Sequence, residues 1–208
     1  MNAHAQPLLI LVSAPSGAGK TTLCTNLLAA NPGLRRAVTC TTRASRPGER
    51  DGIEYHFLSE ASFRRQLAEG AFLEHATVYG NLYGTLKSEV LGKLREGLDV
   101  LLNIDVQGAE SVRRAAASEA ELKAALVTVF LTTATWMELE TRLRGRGTEA
   151  PEVLERRLRA AELELAEAPK FDYILTSGTP EEDVRRMQCI IQAERLRAGR
   201  VKLPELRR

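Results

Sequence analysis

Cysteine and histidine are scarce in this sequence, and their spacing fits neither a disulfide framework nor a metal site. The three cysteines, Cys24, Cys40 and Cys189, are far apart and never form a C-x-x-C pair. The three histidines show no metal-ligand spacing either. Disulfide-stapled secreted domains and zinc modules need closer and more regular sets. We therefore expect reduced thiols and a cytoplasmic protein.

Long apolar runs and a large excess of one charge are missing as well. The longest apolar stretches, such as 8–12 and 127–131, are far shorter than the roughly 20 residues of a membrane-spanning helix. The opening MNAHAQP has no basic region ahead of a long apolar one, so we expect no secretory signal. The net charge of +2 is too small to indicate a nucleic-acid or membrane partner, and we expect neither.

The residues that are present suit one compact α/β domain with an inserted or appended subdomain, since 208 residues can bury a sizeable core. Short apolar strands alternate with helical patterns, which predicts a mostly parallel sheet flanked by helices. The predicted strands are 8–12, 100–104, 126–131 and 173–176, with a shorter one near 37–40. The predicted helices are 22–30, 61–70, 86–96, 109–117, 136–143 and 181–197.

Two segments interrupt this alternation. Between 39 and 85, polar and aromatic residues alternate around one helical piece, which predicts a small β-rich subdomain facing a cleft. Between 142 and 170, an arginine-rich stretch is punctuated by Gly145, Gly147 and Pro151 before a charged helix. The basic tail, 195–208, is interpreted as a solvated end.

The stretch ILVSAPSGAGKTTL, residues 10–23, places a glycine-rich turn between a core strand and a core helix. Gly17 and Gly19 permit dihedrals at which successive N–H groups form an anion-binding nest at the positive end of a helix. Lys20 adds a cation, and Thr21 adds a hydroxyl where a phosphate-bound Mg²⁺ would lie. The stretch matches the phosphate-loop pattern G-x-x-x-x-G-K-[ST], except that Ala14 stands in place of the first glycine. An ordinary glycine-rich turn would need no lysine, so we expect a nucleoside triphosphate. The residues expected to bind it are Ala14, Pro15, Ser16, Gly17, Ala18, Gly19, Lys20, Thr21 and Thr22.

A second phosphate site is indicated by the loop TCTTRASRPGERDGIEY, residues 39–55. Arg43 and Arg46 lie three residues apart, and forked guanidinium groups can bind a phosphate there. Tyr55 offers a further donor, and Glu49 can hold either arginine in place. Taken alone, the loop also fits an ordinary exposed segment rich in arginine and glutamate.

Together with three later motifs, these loops resemble the guanylate kinases. FLEHATVYGNLYGT contains Glu74, Tyr83 and Thr85, VLLNIDVQGA ends a strand at Asp105, and RLRGRGT (142–148) precedes Arg157. The order and spacing of the motifs match the family from about residue 8 to 196. The resemblance implies a P-loop NTPase-type sheet with an inserted nucleotide-binding subdomain and a helical lid. The implied boundaries are a core of 1–37, 86–141 and 171–208, a GMP-binding subdomain of 38–85 and a lid of 142–170.

The resemblance also implies an activity, which is transfer of the γ-phosphate of ATP to GMP with Mg²⁺ as cofactor near Thr21. Glu74 would accept from the guanine N1–H and 2-amino groups, and Thr85 would donate to the 6-oxo group. Asp105 would touch either the guanine amino group or the waters around Mg²⁺. The implied GMP-binding set is Thr39, Arg43, Arg46, Glu49, Tyr55, Glu74, Tyr83, Thr85 and Asp105. The implied catalytic cations are Lys20, Arg43, Arg142, Arg146 and Arg157.

Alternatives and departures remain at this point. The lid segment also fits a solvated charged helix with i,i+4 ion pairs. A guanylate-kinase-like protein-binding module typically lacks an intact loop or lid, and a sugar-phosphate kinase has no guanine edge for Glu74 and Thr85 to meet. The departures from the family pattern are Ala14, Asn103 and the pair Ser177-Gly178, which leaves the adenine contact unassigned.

Overall fold

The computed structural model describes residues 6–78, 80–145 and 151–201, which form an α/β fold with two sheets. The strands are β1 (Leu9–Ser13), β2 (Leu34–Arg36), β3 (Cys40–Thr41), β4 (His56–Phe57), β5 (Phe72–Val78), β6 (Asn81–Leu86), β7 (Asp99–Asn103), β8 (Leu126–Thr132) and β9 (Tyr173–Thr176). The α-helices are α1 (Lys20–Ala30), α2 (Glu60–Ala68), α3 (Lys87–Arg95), α4 (Val106–Ser118), α5 (Ala120–Ala125), α6 (Trp136–Arg144), α7 (Pro151–Ala166) and α8 (Pro180–Arg195). Short 3₁₀ turns cover Ala168–Lys170 and Ala198–Arg200.

The main sheet has five strands in the order β2-β7-β1-β8-β9, and every neighbouring pair is parallel. β1 is buried along its whole length, as its unbroken apolar sequence predicts for a central strand covered on both faces. Because all five strands run the same way, their carboxyl ends share one edge of the sheet. The loops that follow β1, β7 and β9 therefore meet at that edge.

Helices cover both faces of this sheet. One apolar cluster joins the sheet to α1, α6 and α8 through residues such as Leu27, Leu139 and Met187. The other joins it to α3, α4 and α5 through Val90, Val112 and Leu122. Across the parts of the chain that the structure describes, every helix is too short or too polar to cross a membrane.

The second sheet lies within the segment predicted to be β-rich and has the order β4-β3-β6-β5. β3 pairs with β4 in parallel, whereas β6 pairs with β3 and β5 in the antiparallel sense. Its small core contains Cys40, Phe63 and Phe72, and the two phenyl rings stack with their centroids 4.3 Å apart. This sheet gives the inserted segment a rigid base on which polar side chains can be held.

Apart from shifts of one or two residues at the ends of elements, the structure differs from the prediction in three places. The strand expected near 37–40 is replaced by β2 and β3. The edge strand β2 was not predicted because it buries only Leu34 and its two arginines are exposed, which leaves no apolar run in the sequence. α5 was not predicted. α4 begins at Val106 instead of 109, because the Asp105 carboxylate caps it by accepting from Gly108 N at 2.7 Å. The predicted capping box of Thr179 and Glu182 at the start of α8 is confirmed.

The interpretation of the basic tail as a solvated end is wrong for Arg200. This residue is 8% exposed and donates to the Glu194 carboxylate, which is 1% exposed. It also donates to the carbonyl oxygens of Ala124 and Leu126, each at 3.0 Å. A cation five residues after α8 therefore ties the end of the described chain to the end of α5 and the start of β8.

Replacing Arg200 with alanine is expected to lower the free energy of unfolding by about 2–3 kcal/mol, because it leaves a buried carboxylate with fewer partners. The loss stays at this level because Glu194 still accepts from Tyr173 and Arg197. Urea unfolding measures the change. Arg197→Ala is the matched control, since Arg197 is 65% exposed and its loss should cost less than 1 kcal/mol or so. Equal effects of the two variants would contradict the buried role of Arg200.

Candidate active site

The glycine-rich loop connects β1 to α1 at the carboxyl edge of the main sheet. Gly17 and Gly19 have φ of 91° and 99°, in the left-handed region that favours glycine, and Gly19 is the N-cap of α1. The loop encloses a cavity of about 320 Å³. Its lining residues are Ala14, Pro15, Ser16, Gly17, Gly19, Lys20, Thr21, Thr22, Asp105 and Glu164. Ala18 is the exception among the predicted loop residues, because it is buried and its N–H donates to Pro15 O at 3.2 Å.

Lys20 is held beside the end of β7. Its Nζ donates to the carbonyl oxygen of Ile104 at 2.7 Å. Burial lowers the pKa of Lys20, while the nearby charge of Asp105 acts in the opposite direction. The ammonium group thus lies in the loop cavity with its position set by the backbone of the neighbouring strand.

Two of the three predicted lid arginines lie against the loop. Arg142 on α6 donates from Nη1 to Ala18 O and Ser177 Oγ, both at 3.4 Å, and from Nη2 to Glu138 at 2.6 Å. Arg157 on α7 donates from Nη2 to Ser16 Oγ at 2.9 Å. The third, Arg146, lies outside the described residues. Arg142 and Arg157 reach the loop from α6 and α7, the two helices that follow β8 in the chain. This is the position expected of lid residues.

Glu164 is a residue of this cavity that the sequence analysis missed. Its Oε2 accepts from Ser16 N at 3.2 Å. Burial raises the pKa of the Glu164 carboxyl, and its bond to Ser16 N–H and the charge of Lys20 oppose that rise. A signal was present, because Arg157 and Glu164 are seven residues apart and therefore lie on one face of α7.

The predicted second phosphate loop forms a compact cluster around Arg43. The Arg43 guanidinium donates to both oxygens of Glu49, at 2.9 and 3.0 Å, and its centre lies 5.4 Å from the centroid of the Tyr55 ring. The Tyr55 and Tyr83 ring centroids are 6.0 Å apart. The bond to Glu49 raises the pKa of Arg43, and the same bond lowers the pKa of Glu49.

Arg46 and Thr39 take part in this region through their backbones. Arg46 N donates to Glu49 at 2.8 Å while its side chain is exposed, and the carbonyl oxygen of Thr39 accepts from His56 N at 3.0 Å. Of the two arginines that the sequence offers to Glu49, the carboxylate accepts from the side chain of Arg43 and from only the backbone N–H of Arg46.

Glu74 and Thr85 form a buried pair on the second sheet. They are direct partners in the β5–β6 ladder, and Thr85 Oγ1 donates to Glu74 Oε1 at 2.6 Å. Gly84 makes the pairing possible, because a Cβ there would lie 2.7 Å from Phe72 Cδ1 and 2.9 Å from Glu74 O. Burial raises the pKa of Glu74, and the Thr85 hydrogen bond opposes that rise. In this structure the Thr85 hydroxyl is directed at Glu74, so donation to a base would require it to turn.

Asp105 lies where the two predicted binding regions meet. It lines the loop cavity and also an adjoining cavity of about 760 Å³ that His75, Gln107 and Glu164 share. Its charge acts on Lys20, Glu74 and Glu164. Asp105 therefore lines the phosphate-loop cavity and is near enough to the buried Glu74–Thr85 pair for its charge to raise the pKa of Glu74.

Comparison with known proteins identifies the family of the chain. A sequence model of the guanylate kinase family matches residues 6–194. The chain is 45% identical over 193 residues to a guanylate kinase of Thiobacillus denitrificans, a match that covers 93% of this chain and 89% of that protein. It is 46% identical over 182 residues to a guanylate kinase of Streptomyces kasugaensis, covering 88% and 85%. The crystal structure of guanylate kinase from Anaplasma phagocytophilum aligns with a TM-score of 0.71 and 27% identity, over 95% of this chain and 90% of that one. The chain therefore belongs to the guanylate kinase family.

Proposed function

We propose that this enzyme transfers the γ-phosphate of ATP to GMP, giving ADP and GDP by direct in-line transfer in purine nucleotide metabolism. The observation that carries the proposal is the buried Glu74–Thr85 pair, whose carboxylate feels the charge of Asp105, a residue of the phosphate-loop cavity. A protein-binding module does not require a lysine and two arginines held against an open loop, so these contacts favour an enzyme. A sugar-phosphate kinase has no use for a buried carboxylate beside a hydroxyl.

The donor's phosphates would bind in the loop cavity. The N–H groups of the loop and the ammonium of Lys20 supply positive partners there, at the N-terminus of α1. The base of the donor would lie near Ser177 and Gly178. Those two residues donate to Asp183, at 3.1 and 2.8 Å, so their conformation is fixed by a buried carboxylate.

GMP would be recognised by its base and by its phosphate. Guanine presents two donors, N1–H and the 2-amino group, to the Glu74 carboxylate, and adenine would present an acceptor instead. Leaving a buried group unpaired costs about 1–3 kcal/mol, so two mismatches discriminate by 10² or more. The phosphate of GMP would bind at Arg43, Arg46, Tyr55 and Tyr83, with Glu49 positioning Arg43.

Phosphoryl transfer requires little covalent chemistry from the protein. The attacking phosphate oxygen of GMP is already anionic at neutral pH, so the site needs no general base. What the transfer needs is alignment of the two substrates and fixed cations around the charge that spreads in the transition state. Lys20, Arg43, Arg142, Arg146 and Arg157 are proposed to supply those cations. Closure of the lid would expel water that otherwise accepts the phosphate.

Mg²⁺ is the proposed cofactor, and the residues at the cavity fit it. Within 6–78, 80–145 and 151–201, no three His, Cys, Asp or Glu side chains form a cluster that could hold a metal. Mg²⁺ in kinases is instead bound by substrate phosphates, water and one or two protein oxygens. Thr21 and Asp105 both line the cavity and would hold it, directly or through water. When bound, Mg²⁺ would neutralise charge on the donor phosphates.

We also propose the domain boundaries and the compartment. The GMP-binding subdomain is assigned to 38–85 and the lid to 142–170, with the rest forming the core. The free thiols of Cys24, Cys40 and Cys189 suit the reducing cytoplasm, which is the compartment that we propose for the enzyme. Burial raises the pKa of both Cys24 and Cys40 to about 11, which keeps these two thiols protonated and unreactive.

A substrate panel tests the proposal. With ATP and Mg²⁺, the purified protein is expected to phosphorylate GMP and to act on AMP, CMP and UMP at least about 10²-fold less efficiently. A coupled assay for ADP measures kcat/KM for each acceptor. Equal turnover of AMP would overturn the assignment of Glu74 and Thr85, and absence of any turnover would favour the binding module.

A further inference from the structure

In the described state, the phosphate loop already holds an anionic side chain. The Glu164 carboxylate accepts the Ser16 N–H, a donor of the nest that the sequence predicts for phosphate. It lines the loop cavity together with Lys20 and Asp105. The Glu164 side chain on α7 therefore occupies a position where a phosphate would accept hydrogen bonds.

The charges in the cavity indicate that Glu164 affects the binding of a phosphate. Among the described side chains that line it, Lys20 is the cation and Asp105 and Glu164 are the acids. A polyanionic triphosphate would therefore meet two carboxylates in the cavity, although Arg142 and Arg157 are held against the same loop. The two carboxylates already affect each other, since the charge of Asp105 raises the pKa of Glu164.

The same helix also brings a cation to the same residue. Arg157 donates to Ser16 Oγ, two helical turns before Glu164 on the same face of α7. Ser16 is thus bound twice by α7, through its hydroxyl by Arg157 and through its N–H by Glu164. The incoming phosphate attracts Arg157 and repels Glu164.

Resting on the proposed kinase function, we propose that Glu164 is a positioning residue that occupies the phosphate loop until the donor displaces it from Ser16. One N–H cannot serve a carboxylate and a phosphate equally, and like charges at short range repel. Binding of the donor breaks the Glu164 contact and keeps the Arg157 contact. The hold of α7 on the loop therefore depends on whether the donor is bound.

The substitution Glu164→Gln tests this inference. It removes the competing charge at nearly constant size, so ATP and ADP are expected to bind about three- to tenfold more tightly. Titration calorimetry in the absence of GMP measures both affinities, with and without Mg²⁺. In steady-state kinetics the KM for ATP should fall by a similar factor, whereas the KM for GMP should not change. A merely structural residue would not separate the two KM values in this way.

Glu162→Gln is the matched control, because Glu162 is on the same helix, carries the same charge and is exposed. It should leave nucleotide affinity unchanged. Unchanged or weaker nucleotide binding in Glu164→Gln would overturn the inference, as would equal tightening in Glu162→Gln. If circular dichroism shows that Glu164→Gln is unfolded, Glu164→Ala gives the same test, because it removes both the charge and the contact with Ser16. Calorimetry needs no turnover, so failure of the inference is distinguishable from failure of the proposed activity.

Discussion

The substitution Lys20→Ala is expected to lower kcat for GMP phosphorylation about 10³-fold while the protein stays folded. Lys20 is the cation among the described side chains that line the loop cavity, and its Nζ is fixed on Ile104 O. Losing one preorganised charge partner at a reacting centre costs about 10²–10³ in rate. The upper end is expected here because the two acids of the same cavity, Asp105 and Glu164, then face the donor phosphates without the charge of Lys20. Steady-state kinetics at saturating ATP and GMP measure the loss.

Stability should change little in this variant. Burial lowers the pKa of Lys20, which means that folding disfavours its charged form. Removing the charge therefore relieves a cost that offsets the lost hydrogen bond to Ile104. The matched control is Lys123→Ala, since Lys123 is an exposed lysine of α5 outside the cavity. An unaffected rate in Lys20→Ala would remove the phosphate-loop argument, and a rate loss in Lys123→Ala would point to an effect of net charge.

The substitution Glu74→Gln is expected to lower kcat/KM for GMP by about 10³-fold without making the enzyme efficient with AMP. In the proposed site guanine would face Glu74 with two donors, whereas the amide of glutamine offers one acceptor and sets its own N–H₂ against a donor. Each unpaired buried group costs about 1–3 kcal/mol, and two of them account for the loss. Kinetics with GMP and AMP at fixed ATP measure it. The exposed Glu69→Gln, at the end of α2, is the charge-matched control.

The pH dependence of stability provides an independent readout for Glu74. Its pKa in the folded protein is raised by burial, so the folded state holds the proton more tightly than the unfolded state. The stability that this provides is present below the ordinary carboxyl pKa and is lost as the pH rises through the folded value. Glu74→Gln cannot ionise and should escape that loss. Its free energy of unfolding should therefore equal or exceed the wild-type value at neutral pH, although it is a poor enzyme. A large loss of stability would mean that Glu74 has a structural role.

The phosphate loop was predictable because all its parts are contiguous. A buried strand, two glycines, a lysine and a helix follow one another within residues 10–23, so local sequence fixes both the backbone and the side chains. The Glu74–Thr85 pair was harder to predict from the residues alone. Its contact depends on the register of β5 against β6, which rests on the absence of a side chain at Gly84.

Contacts between distant segments escaped prediction for a physical reason. Glu164 and Ser16 are 148 positions apart, and neither residue carries a local pattern that points to the other. In sequence, Glu164 is one of several charges on a helix, and Arg200 is one of several in a tail. Only packing decides which charges are buried and which are solvated. β2 was displaced in the prediction for the same reason, because an edge strand keeps its polar residues in water.

The cap that Asp105 places on α4 has a consequence for any ligand that reaches the junction of the two cavities. The helix engages Oδ1 through Gly108 N, so rotation of this carboxylate is restrained before a nucleotide arrives. A group whose direction is set during folding needs no reordering when charge develops beside it. The start of a core helix thus holds in place the acid that both substrates are proposed to approach.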